Sequence, residues 1–193
     1  MVFYKKRGEW IMEMFDLFSV DRIPLNKTIE RGTPVPEGCF RHVVHIAVFN
    51  TAGDKMLYQK RLATKKPWPD KWDISSGGSI IAGETSREGA HRELLEELGI
   101  DHDFQNERPL FTFNFPNGFN DIYAISMDVD PNSLKLQETE VECVEWLTKE
   151  QIYEKIDNEE SIPYLKSYID FLFDLNKWHS IRPTKEDRLA KNK

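Results

Sequence analysis

The stretch Gly78-Ser79-Ile80-Ile81-Ala82-Gly83-Glu84-Thr85-Ser86-Arg87-Glu88-Gly89-Ala90-His91-Arg92-Glu93-Leu94-Leu95-Glu96-Glu97-Leu98-Gly99-Ile100 carries more information than any other part of this chain. Thr85-x-x-Glu88 is a capping-box pattern, and Gly99 suits the left-handed position that ends a helix, so the spacing predicts a helix over 86–98. Advancing about 100° per residue puts Glu93, Glu96 and Glu97 on one face roughly 100° wide. Ala90, Leu94 and Leu98 form an apolar stripe beside it, the arrangement of a helix lining a site at the edge of a core. Three like charges at i, i+3 and i+4 repel, and Arg92 offsets only part of that through its helical neighbours Glu96 and Glu88. A hard cation, held by few carboxylates together with waters and substrate phosphates, resolves the conflict. A solvated acidic face is the plainer alternative. Gly77, Gly78 and Gly83 before the helix, and Gly89 on the acidic face, count against it.

Outward from this stretch, β-rich runs alternate with turn residues. Val43–Phe49 and Met56–Arg61 flank Asn50-Thr51-Ala52-Gly53-Asp54 and predict a hairpin, with an earlier strand near Met14–Val20. Phe111–Phe115 and Asp121–Asp128 predict two strands around Pro116-Asn117-Gly118, and Val141–Leu147 another. Further helices are expected over 149–156 and 163–178, the latter opening on Pro163. The pattern is that of a layered α+β or α/β/α domain. No repeat or linker divides the chain, so the expectation is one domain with its core over about 13–150, a C-terminal helix and a polar tail over 182–193.

Composition narrows the function classes. The 193 residues carry Lys plus Arg 26 against Asp plus Glu 33, a net charge of −7, which argues against broad binding to nucleic-acid phosphates. No apolar run approaches the ~18 residues of a membrane span. Lys5-Lys6-Arg7 is not followed by the apolar stretch of an export signal, because Glu9, Glu13 and Asp16 interrupt it. Cys39 and Cys143 are too few for a disulfide framework. These features predict a soluble cytoplasmic protein acting on a small molecule, with no nucleic-acid or membrane partner; homodimer formation is left open.

The motif G-x5-E-x7-R-E-U-x-E-E-x-G-U, with U aliphatic, is met at every fixed position by Gly78, Glu84, Arg92, Glu93, Leu94, Glu96, Glu97, Gly99 and Ile100. The chain therefore resembles the Nudix hydrolases. That resemblance implies a Nudix-type α/β/α sandwich with a mixed sheet, of class α+β, and Mg²⁺ or Mn²⁺ as cofactor. It also implies hydrolysis of a small-molecule diphosphate linked to another moiety, such as a nucleoside diphosphate derivative. By the same resemblance Glu93, Glu96 and Glu97 are metal ligands, the Gly78 carbonyl is a further ligand, and Glu84 and Arg92 hold the loop against the helix. The five charged residues Glu84, Arg92, Glu93, Glu96 and Glu97 make up the expected catalytic set.

A second segment, Arg61-Leu62-Ala63-Thr64-Lys65-Lys66-Pro67-Trp68-Pro69-Asp70-Lys71-Trp72, resembles R-x-x-x-K-x-x-x-P-x-x-W of isopentenyl-diphosphate isomerases and isomerase-like Nudix hydrolases. Arg61 and Lys65 leave the hairpin where a guanidinium and an ammonium could clamp diphosphate oxygens. The isomerases carry a cysteine and a histidine where the box begins, and this chain has Ser75-Ser76-Gly77-Gly78. Moving a proton on carbon needs two placed acid/base groups, so hydrolysis is favoured over isomerisation and over a silent nucleotide sensor, which has no need of three glutamates. Trp68 and Trp72 are expected to pack. His42 and His45, three apart on a strand, point to opposite faces, and a structural role is favoured for them. For the general base, Glu93, Asp121, Glu138 and Glu140 are all candidates, with Asp121 also a substrate-binding candidate.

Overall fold

The computed structural model describes residues 3–6, 9–178, 180–182 and 184–185. Most of the polar tail lies outside them. In chain order the strands are β1 (Phe3–Lys6), β2 (Glu9–Met12), β3 (Met14–Phe18), β4 (Pro24–Glu30), β5 (Arg41–Phe49), β6 (Lys55–Arg61), β7 (Trp72–Asp73), β8 (Ser76–Ser79), β9 (Phe111–Phe115), β10 (Gly118–Ser126) and β11 (Val141–Thr148). The helices are α1 (Ser86–Leu98), α2 (Lys149–Asp157) and α3 (Lys166–Trp178). The main sheet has the order β11-β6-β5-β10-β9, with β7 on β6 and β8 on β5, and β1-β2 and β3-β4 form two separate antiparallel pairs. This mixed sheet with few helices is an α+β sandwich. By internal contacts the described residues fall into two compact units. One is drawn from Met1–His45, Gly77–Leu95 and Asp101–Tyr123, the other from Ile46–Ser76, Glu96–Ile100 and Ala124–Lys193.

In the first unit, α1 begins with the expected reciprocal cap. The Thr85 N–H donates to Glu88 Oε2 at 2.7 Å, and the Glu88 N–H donates back to Thr85 Oγ1 at 3.3 Å. The β9–β10 hairpin pairs Gly118 with Phe115 and Asp121 with Thr112, so β10 starts three residues before the expected Asp121. The turn is tight because the strands pair right up to Pro116-Asn117. A Cβ at Gly118 would collide with the Arg41 carbonyl, so only glycine admits this approach.

In the second unit, the Asn50 side chain caps the β5–β6 turn by accepting from the Asp54 and Lys55 N–H groups. The C-terminal half of β5 is wholly apolar and fully buried at Ile46, Ala47, Val48 and Phe49. Helix α2 carries its own capping box, Thr148 with Gln151, a pattern readable in the sequence but passed over there. Helix α3 starts at Lys166, three residues later than Pro163 suggests. The segment before it is held extended instead: the Trp72 N–H donates to the Glu160 carbonyl, the Ile162 N–H to the Trp72 carbonyl, and the Tyr164 hydroxyl to Asp73 at 2.5 Å. Those tertiary bonds outweigh the local helix signal. The apolar stripe of α1 is buried as expected, Ala90 and Leu94 in the first unit and Leu98 in the second, with each leucine contributing about 1.5–3 kcal/mol on burial. At Gly99 the φ of +68° closes the helix. Cys39 and Cys143 are free thiols. No described helix is long and apolar enough to cross a membrane.

Candidate active site

Arg92, in the middle of α1, organises the loop before the helix. Its Nε and Nη2 fork onto the two oxygens of Glu84 at 2.8 and 3.0 Å, Nη2 also reaches the Ser79 carbonyl at 2.9 Å, and Nη1 reaches Glu93 Oε1 at 2.9 Å. Glu84 in turn accepts from the Ile81 N–H at 3.0 Å. Burial disfavours the charged guanidinium, but the paired carboxylates of Glu84 and Glu93 more than reverse this and hold its pKa above the usual value. The fork onto Glu84 is a partner that helix spacing, which suggested Glu96 and Glu88, does not name. The loop folds back over the helix, and that tertiary placement brings Glu84 within reach of a fork that prefers bidentate partners.

The Glu93 carboxylate lies directly against the α-carbon of Gly78, so that a Cβ at position 78 would occupy the same space. The sequence-expected ligands Gly78 and Glu93 are therefore side by side. Glu96 is exposed. Glu97, one helical step further, is 1% exposed and sits among donors: Lys65 Nζ at 3.0 Å from Oε1, Ser76 Oγ at 2.8 Å and Gln59 Nε2 at 3.2 Å from Oε2. Burial raises its pKa against the opposing pull of Lys65 and Ser76. Lys65 also pairs with Glu140. Burial disfavours its ammonium, and the two acids together still raise its pKa.

Arg61, expected to clamp diphosphate oxygens, is engaged within its own loop. It is 7% exposed, with Nη2 on the Pro67 carbonyl at 2.8 Å, Nε on the Trp68 carbonyl at 3.1 Å and Nη1 on Asp73 at 3.3 Å. The guanidinium turns inward because the 62–72 loop curls around it and offers carbonyls that have no strand partner. Arg61 thereby shapes the loop that delivers Lys65. Trp72 is buried and stacked on Tyr58, whereas Trp68 is exposed.

Asp121, a candidate base and substrate-binding residue, is likewise engaged within the fold. It is buried and accepts from Ser86 Oγ and Thr112 Oγ1, both at 2.6 Å, with His42 Nε2 at 3.0 Å. Burial alone would raise its pKa, but the neighbouring His42 and the Ser86 and Thr112 hydroxyls bring it down to about 2. His45 Nδ1 lies 3.3 Å from Asn120 Nδ2. Asn120 and Asp121 are consecutive on β10, so the two histidines serve opposite faces, as their spacing implied. Glu138 is exposed. The residues that sequence reasoning missed are Gln59, Ser76, Ser86 and Thr112. They are ordinary polar side chains whose only distinguishing mark is that the fold buries an acid beside them.

The donor set fits a hard divalent cation: carboxylates on one helix, with Glu93 seated at a backbone position kept open by a glycine. Among the described residues no three acidic, histidine or cysteine side chains are gathered into a ready-made cage. Arg92 engages Glu93 and Lys65 engages Glu97 instead.

Comparison with known proteins agrees with the motif and the fold. The NUDIX domain family model matches residues 40–168. The Nudix hydrolase lin0387 of Listeria innocua is 41% identical over 164 residues, covering 85% of this chain and 95% of that protein. Nudix hydrolase 3 of Arabidopsis thaliana is 30% identical over 79% of this chain, a match that spans 22% of the plant protein. Among solved structures, DR0079 from Deinococcus radiodurans superposes with a TM-score of 0.69 at 25% identity, covering 83% of this chain and 99% of that one. The chain belongs to the Nudix family. It is an enzyme of that family's pyrophosphohydrolase class, a class that generally uses divalent metals.

Proposed function

We propose that this enzyme hydrolyses the diphosphate of a nucleoside diphosphate derivative or a related small organic diphosphate, with Mg²⁺ or Mn²⁺ bound through Glu93, Glu96, Glu97 and the Gly78 carbonyl. The observation that carries this is the contact of the Glu93 carboxylate with the Gly78 backbone, a place where any other residue's Cβ would push the carboxylate aside. When bound, such a cation neutralises diphosphate oxygens and lowers the pKa of water. Arg92 and Glu84 fix the loop to the helix, and Lys65 supplies a cation for the diphosphate. Water attacks phosphorus in line with the leaving phosphate, and Glu93 receives its proton. Asp121 suits that role poorly, since a carboxylate with a pKa of about 2 is a weak base.

Arg61, Lys65, Pro69 and Trp72 support membership of the isomerase-like subgroup. Isomerisation itself is disfavoured by what stands at the matching positions. Ser75 Oγ accepts from the Val48 N–H at 2.8 Å and donates to the Leu57 carbonyl, and Ser76 Oγ donates to Glu97, so both hydroxyls are spent within the fold. The charge of −7 and the free cysteines support a small-molecule substrate in a reducing cytoplasm. The test is turnover of a panel of nucleoside diphosphate sugars, dinucleotide cofactors, nucleoside triphosphates and prenyl diphosphates with Mg²⁺ in ¹⁸O-labelled water. Label in a phosphate product supports hydrolysis. Absence of turnover across the panel with either metal, or deuterium entering isopentenyl diphosphate in D₂O, overturns it.

A further inference from the structure

We infer that Lys65 is the resident counter-cation of Glu97, that a divalent cation displaces it, and that Glu140 retains the released ammonium for the incoming diphosphate. This rests on the metal-dependent function proposed above. Glu97 is buried, and its Oε2 is already occupied by Ser76 and Gln59. Oε1 is the oxygen on which Lys65 sits at 3.0 Å. A cation approaching that oxygen meets an ammonium at contact distance, where like charges repel strongly. The two positive charges therefore compete for one carboxylate.

The chemistry of the two resident cations shows which one yields. Arg92 is a rigid fork bound twice to Glu84 and once to the Ser79 carbonyl, so leaving Glu93 would break a network. Lys65 is a point charge on a flexible four-carbon stem, and it has a second acid, Glu140, in contact at the same time. Withdrawal from Glu97 costs Lys65 one of two partners and leaves its charge paired. Lys65 is also only slightly exposed and stands on the loop that Arg61 holds in place, so the freed ammonium stays at the site. The order that follows is cation first and diphosphate second, and Glu140 acts as a positioning residue for Lys65.

The test is direct titration of the full chain with Mn²⁺, read by calorimetry and by the electron paramagnetic resonance of unbound Mn²⁺, in wild type, Lys65→Met and Lys65→Arg. With the competitor removed, Lys65→Met should bind Mn²⁺ about tenfold tighter or more. Lys65→Arg keeps the charge, and its two-pronged hold on Glu97 should weaken binding several-fold; this variant decides the matter if Lys65→Met does not fold. Wild-type binding left unchanged in the folded variants overturns the exchange while the metal-dependent function stands. A wild type that binds no Mn²⁺ overturns both.

Discussion

Two buried carboxylates in this enzyme are pulled in opposite directions by the same forces. Burial raises the pKa of both Asp121 and Glu97. Asp121 escapes because Ser86 and Thr112 donate to a single short side chain with His42 Nε2 3.0 Å away, and its pKa ends at about 2. Glu97 stays raised, because it is more deeply buried and its donors include a lysine that it shares with Glu140. The difference separates a carboxylate built to stay where it is from one held ready to change partners. Asp121 stitches β9, β10 and the start of α1 together through short neutral hydroxyl donors, whereas the strongest donor on Glu97 is a charged lysine with a second acid in contact.

The largest effect expected from this contrast is on turnover. Glu97→Gln should lower kcat by about 10³-fold, because it removes a charge meant for a cation while keeping the side-chain volume. Its metal-free stability should stay within about 1 kcal/mol, since relief of a desolvated charge offsets the lost ion pair. Asp121→Asn should do the reverse, sparing kcat to within about tenfold and lowering stability. Phosphate-release kinetics beside urea midpoints read both, and a catalytic loss of equal size in the two variants would erase the distinction. Next comes Gly78→Ala, expected to cost about 10²-fold in kcat with a nearly normal melting temperature. The new Cβ meets the far end of a flexible glutamate, which can move aside. Gly77→Ala meets the Val44 carbonyl and the His45 ring instead, so it should lower the melting temperature itself.

How much of this was legible in the sequence follows from how local each signal is. The α1 helix, its cap, its apolar stripe and its final Gly99 were all readable because they depend on residues within a few positions of one another. The opening residues of α3 were not, because Trp72 and Asp73 capture residues 160–164 from ninety positions away. Strand β4 escaped because its burial shows no two-residue alternation. In the site, the three helix carboxylates were read from spacing and the loop cations from the resemblance, yet the partners of Glu97, Arg61 and Lys65 were not. Nothing in Arg61-Leu62-Ala63 announces that the guanidinium will turn inward, because its acceptors are main-chain carbonyls, which every residue has.

Arg61 sharpens the comparison from the loop side. Arg61→Ala should destabilise the protein by about 2–3 kcal/mol, since it leaves the Pro67 and Trp68 carbonyls and one oxygen of Asp73 without their buried donor. Lys65→Ala should leave the urea midpoint far less affected and raise KM. If Arg61→Ala instead unfolds like wild type while KM alone rises, Arg61 is a substrate clamp after all, and the division between a structural arginine and a mobile lysine fails.

The smallest effect is the share of the acid-side pH dependence that Asp121 contributes. In the unfolded chain an aspartate titrates near ~3.9. In the fold its pKa is about 2, so between these values the unfolded chain takes up a proton that the native protein refuses. Stability from this group is therefore complete above about pH 5 and is lost as the pH falls from about 4 toward 2. The amount is about 1–2 kcal/mol once partial screening by solvent is allowed for. Glu97 contributes nothing of that sign, because its folded pKa is raised and its protonation does not oppose folding. Urea midpoints measured from pH 6 down to the lowest pH at which the protein stays folded should fall more steeply for wild type than for Asp121→Asn. Glu97→Gln should keep the wild-type slope over the lower part of that range. A slope in Asp121→Asn as steep as in wild type would mean that Ser86, Thr112 and His42 do not hold the carboxylate ionised, and Asp121 would then be as ready to exchange partners as Glu97.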